Sequence, residues 1–146
     1  MHRRVALLAL YPPQQLGERG AAIAFSTDLA FACPALALAT LHPATSRLYE
    51  LERPIVSGKN VGLGAVHGLD FIYLFGTFGA WDIAADPERP LSTVMQLLWS
   101  AIARGQSPTI WPTAPLVLQL DTTSSISTTW RNNRCPALVA LGLLAE

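Results

Sequence analysis

The segment Gly64-Ala65-Val66-His67-Gly68-Leu69-Asp70 holds the residues of this sequence best suited to chemistry. A histidine set among small residues can be approached openly, and the flanking glycines free its backbone for unusual angles. That suits a general base, whose imidazole must come within hydrogen-bond reach of a nucleophile. A plain loop histidine beside glycine looks the same, so the segment alone leaves both readings open. A local constellation of His67 with Ser57 and Asp70 is harder to build, because triad members normally converge from separate elements.

Other chemistries find little support. His2, His42 and His67 are scattered, and Cys33 and Cys135 stand far apart without metal spacing, so no metal site is expected. No cofactor motif stands out either. The formal net charge is zero and the densest basic pairs are Arg3/Arg4 and Arg131/Arg134. A nucleic-acid groove needs a clustered positive field, so no nucleic-acid partner is expected. Of the 146 residues, 51% are apolar and only 14% charged, against the usual charged fraction of about 25%. A self-contained domain of this size should carry a more polar surface. The composition therefore points to a surface covered by something else, or to part of a larger body.

The opening Met1-His-Arg-Arg and the apolar run Val5 to Leu10 outline a signal peptide. The run stops at Tyr11-Pro12-Pro13, short of the roughly 7–15 residues of a secretory core. Ala21 to Leu41 is long and apolar, but Asp28 near its middle and Pro34 inside it argue against a transmembrane segment.

The elements that must position His67 follow from pattern. Gly17 to Gly20 reads as a loop and Ser26-Thr27-Asp28 as a helix start. That helix runs to Leu41, with Pro34 in its first turn or kinking it. Arg47 to Arg53 alternates as a strand closed by Pro54, and Ser57 to Gly68 is a Gly-rich loop before the aromatic stretch Phe71 to Phe78. A helix is expected over Ser92 to Arg104, with Ser92 as N-cap and Gly105 ending it in a left-handed conformation. Val94, Met95, Leu98, Trp99 and Ile102 form its apolar stripe. Leu116 to Leu120 reads as a short strand, and Pro136 to Leu144 as a last apolar helix. The alternation predicts an α/β class.

In this order the sequence resembles the type-B carboxylesterase/lipase family, which includes the cholinesterases. Thr27-Asp-Leu-Ala-Phe-Ala-Cys33-Pro34 is similar to the family helix bearing a cysteine. Gly64 to Asp70 resembles the catalytic-histidine loop, and Phe71-Ile-Tyr-Leu-Phe75-Gly76 the aromatic segment after it. Leu91-Ser92, Met95, Trp99, Ala103-Arg104-Gly105 and Pro108 resemble the following helix. Trp111-Pro112, the strand into Asp121, and Arg134-Cys135 complete the collinear order. The resemblance implies that residues 1–146 are a single partial domain, the C-terminal part of an α/β-hydrolase sheet with flanking helices. It implies His67 as the triad base, Asp70 as a supporting or structural group, and a disulfide between Cys33 and Cys135. It further implies a small ester as substrate of the complete enzyme and a secreted full-length parent.

The same resemblance shows what these residues lack. The family nucleophile sits in Gly-x-Ser-x-Gly, a strained strand-to-helix turn. No serine here has both glycines; the nearest, Gly105-Gln-Ser107-Pro-Thr, lacks the second. In the family order serine and acid both precede the histidine by long distances, and the Gly-rich oxyanion loop lies earlier still. The expectation is a chain that contributes the histidine, is inactive alone, and pairs with a missing N-terminal portion or with itself. The alternative is a non-catalytic association module of α/β-hydrolase origin.

Overall fold

In the computed structural model, residues 2–144 are described. Helix α1 spans His2–Leu10, so the apolar opening run is helical. Helix α2, Pro13–Thr27, begins with its proline in the first turn, where the missing N–H costs no hydrogen bond. A π-helical turn, Asp28–Ala32, continues it into α3, Cys33–Leu41. Two expectations are corrected here. The glycine segment is not a loop but part of α2, which merely kinks at Gly17 (φ 71°, ψ 157°). Nor does Ser26-Thr27-Asp28 start a helix, because Asp28 is turned inward and held by the rest of the chain. Pro34 is accommodated by the widened turn directly before it: its ring would otherwise press on the carbonyl one turn back.

The run Pro13–Leu41 is long and apolar enough to cross a membrane by length and composition, the one such helix among the described residues. Its middle carries Asp28, which is fully buried. The Tyr11 hydroxyl donates to Asp28 Oδ2 at 2.9 Å, and the guanidinium groups of Arg131 and Arg134 lie 3.2 and 3.6 Å from its oxygens. Burial, and next the bond to Asp28, raise the Tyr11 hydroxyl well above its ordinary pKa.

Among the described residues the sheet has three strands in the order β1-β2-β3. Strand β1, Leu48–Leu51, runs parallel to β2, Val117–Leu120, with Leu48 opposite Val117. Strand β3, Ser125–Ser127, closes antiparallel onto β2 from a Thr/Ser stretch that pattern alone leaves as polar loop. Leu118 and Leu120 face a core built with Leu69, Ile72, Tyr73, Leu91, Met95 and Leu98. Leu48 and Val117 face the other side, toward Ala39 of α3. Helices thus cover both faces, as a mixed helix and strand class requires.

Helix α4, Leu69–Phe75, and helix α5, Arg89–Ala103, pack together over the first face. The expected stripe on α5 holds at Met95 and Leu98, with Val94 and Trp99 half-buried, whereas Ile102 is exposed. Gly105 follows α5 at φ +72°. The N-cap expectation at Ser92 is corrected. The helix begins three residues earlier, with Pro90 in its first turn, and Ser92 Oγ donates instead to the Tyr73 carbonyl at 2.5 Å. A buried tertiary hydrogen bond thus took the side chain that local pattern assigns to a cap. The last helix, α6, spans Arg134–Ala140 and not Pro136–Leu144, and Gly142 at φ +64° lies in the turn beyond it.

The Cys33–Cys135 disulfide is formed, joining α3 to α6 across 102 residues of sequence with the Cα atoms 5.3 Å apart.

Candidate functional site

His67 sits in the turn between β1 and α4. After β1 the chain passes Arg53, whose guanidinium holds Glu88 in two parallel bonds of 2.9 and 2.7 Å. The loop then swings out and is pinned twice. Ser57 Oγ accepts from the Ala84 amide at 2.8 Å, and the Ile55 amide donates to the Gly64 carbonyl at 3.2 Å. Gly58 makes the closest approach: at φ +76° it lies so near Asp82 that a Cβ would overlap that residue's carbonyl oxygen. Past the histidine, Gly68 takes φ +84°, and this left-handed step turns the chain into α4. The Leu69 amide closes the turn onto the Val66 carbonyl at 3.1 Å.

The imidazole is exposed, and no side-chain hydrogen bond reaches it among the described residues. Its aromatic neighbour is Phe31, from the π-helical turn, with ring centroids 4.5 Å apart and planes inclined by 26°. Asp70 lies in the first turn of α4 and accepts a short hydrogen bond from the Tyr49 hydroxyl of β1. Burial, then the bond to Asp70, push the Tyr49 hydroxyl well above its ordinary pKa. The Tyr49 ring stands edge-on to Trp99 and Trp111 at 4.6 and 5.8 Å. Asp70 therefore ties α4 to the strand, and no hydrogen bond joins it to His67 or Ser57 among the described residues.

Surface clefts among the described residues lie elsewhere. One of about 570 Å³ runs beside the disulfide between α3 and α6, lined mainly by Pro34, Leu36, Ala37, Pro136 and Val139. A polar one of about 320 Å³ is lined by Glu50, Glu52, Gln119, Trp130, Arg131 and Arg134. His67 lines neither. No group of three or more His, Cys, Asp or Glu side chains arranged for a metal ion occurs among the described residues.

The geometry offers one open imidazole on a braced turn, able to accept or give a proton to a group brought to it. Sequence pattern marks neither Phe31 nor Tyr49: Phe31 lies two residues before Cys33 in an apolar stretch, and Tyr49 is one residue of an alternating strand. No protein-family model, curated protein or solved structure matches this chain.

Proposed function

We propose that this chain is the histidine-bearing part of a carboxylic-ester hydrolase, in which His67 serves as general base for a serine carried by other sequence. The observation that carries the reading is the placement of His67. An exposed imidazole stands on a glycine-turned loop between a parallel strand and the next helix, the kind of loop on which α/β sheets mount functional residues. The collinear family-like segments around it supply the reaction class. The nucleophile would lose its proton to His67, and the protonated imidazole would then hand it to the leaving alcohol. Serine, acid and oxyanion donors would all come from the partner sequence, as would most of the acyl pocket.

Alone, the chain is expected to hydrolyse p-nitrophenyl esters no faster than its His67→Ala variant, because it holds no activated nucleophile. Joined to a portion carrying Gly-x-Ser-x-Gly, it should become active, and the same substitution should abolish that activity. A joined protein indifferent to His67→Ala refutes the proposal. So does covalent labelling of a serine in the isolated chain by an organophosphonate. A non-catalytic association module is the second reading. It is favoured by the exposed large apolar side chains Leu38, Leu41, Phe71 and Phe75.

A further inference from the structure

We infer that Phe31 is a positioning residue for His67, its ring a fixed platform that sets the plane of the imidazole. The inference rests on the reading of His67 as a base, for which the plane matters: proton transfer requires the ring nitrogen to point at its partner.

Three observations carry it. First, the two rings stack, with centroids 4.5 Å apart and 26° between planes, in a pair whose members are both open to solvent. Phe31 is half exposed, and one face of its ring is given to the imidazole. Second, the platform itself is held at both ends. Three residues before Phe31, Asp28 is fully buried among Tyr11, Arg131 and Arg134. Two residues after it, Cys33 is bonded to Cys135. The widened turn Asp28–Ala32 buries Asp28 and Ala32 and leaves Phe31 outward, at the level of the histidine turn. Third, no side-chain hydrogen bond orients the imidazole among the described residues. The carboxylate of Asp70, three residues on in the chain, is taken up by Tyr49, and the backbone bonds of the turn brace Val66 and Leu69 without engaging the imidazole. A stacked aromatic face supplies the missing constraint, since offset stacking at this separation is favourable.

The test is made on the full 146-residue chain by NMR. In the parent protein the His67 ring protons should lie upfield, show nuclear Overhauser contacts to the Phe31 ring, and give side-chain couplings of a single rotamer. Phe31→Leu should abolish the contacts and average the couplings, while the amide spectrum elsewhere stays unchanged because the residue is half exposed. Phe31→Tyr should restore a single rotamer, which a general loss of packing would not do. Averaged couplings in the parent protein, or a single rotamer retained in Phe31→Leu, overturn the inference. These outcomes do not depend on ester hydrolysis, so a hydrolase reading lost to the His67→Ala experiment would be told apart from a platform lost here.

Discussion

Glu88 is 1% exposed yet charged, because Arg53 grips it through two bonds and Tyr73 donates a third at 2.8 Å. The Arg53 bonds are the main reason its carboxyl stays below the usual glutamate range; burial opposes them and the Tyr73 bond assists. A depressed folded-state pKa means that the unfolded chain binds more protons just below the ordinary value of about 4.3. The stability this group contributes is therefore present above that value and is lost as pH falls through the folded-state pKa. Denaturant midpoints measured down this range should drop for the parent chain and drop less steeply for Glu88→Gln. Arg53→Met should cost about 3–5 kcal/mol at neutral pH, because it strands a buried carboxylate. A loss within about 0.5 kcal/mol, the scale of an ordinary surface change, would contradict this account. None of this was legible in the sequence: the partners stand 35 residues apart, and no local pattern links a strand-end arginine to the residue before a helix. The turn that carries His67 was legible because glycines mark it. Phe31 was not, since stacking across 36 positions leaves no periodic trace.

At the scale of elements, the sequence disclosed which stretches are helix and strand better than where each begins. The strands at Leu48–Leu51 and Val117–Leu120 and the helix Arg89–Ala103 fall where alternation and the apolar stripe put them. The boundaries moved where a side chain read as a cap or helix start found a distant partner, Ser92 on the Tyr73 carbonyl and Asp28 among two arginines and a tyrosine. Two devices then hold the elements around the histidine. Gly58 lets the outgoing loop pass against the Asp82 backbone, whereas Gly62 at φ +90° has open space where a Cβ would go. Gly58→Ala should thus cost clearly more than about 1 kcal/mol, while Gly62→Ala suffers only its backbone strain. Faster hydrogen exchange at the Ile55 amide in Gly58→Ala alone would show the loop loosening; equal effects of the two would exclude the close approach as its cause. The disulfide closes a 102-residue separation, which in the chain-entropy treatment contributes roughly 4–5 kcal/mol. Against a total stability of about 5–15 kcal/mol for a domain, the Cys33→Ser/Cys135→Ser pair should bring the chain close to unfolding. A midpoint unchanged by that double substitution would show that α3 and α6 hold together without the bond.

For the whole molecule the question is how much surface is left unmatched. Only 14% of residues are charged, and the sheet has three short strands, a number that reaches independent stability only with well-covered faces. Among the described residues, strand β1 has a neighbour on one side alone, and an edge of this kind can template pairing with another chain. On the helices covering its two faces, large apolar side chains stand in solvent: Leu38 and Leu41 on α3 at 68% and 70% exposure, Phe75 on α4 at 72%. Single exposed apolar residues are ordinary, but an edge strand together with such side chains on the helices of both faces is the combination that favours contact between chains. The chain should therefore self-associate in dilute buffer, seen by sedimentation as a mass that rises with concentration, and should bind a hydrophobic dye. Leu38→Lys, Leu41→Lys and Phe75→Lys together replace three apolar contacts with like charges without touching a buried position. They should shift the population toward monomer and lower dye binding, with the far-UV spectrum preserved. If the parent chain instead sediments as a single monomer at all concentrations and melts in one sharp transition, the low charge and open edge have been accommodated within the fold itself, and contact with another polypeptide is not what this surface serves.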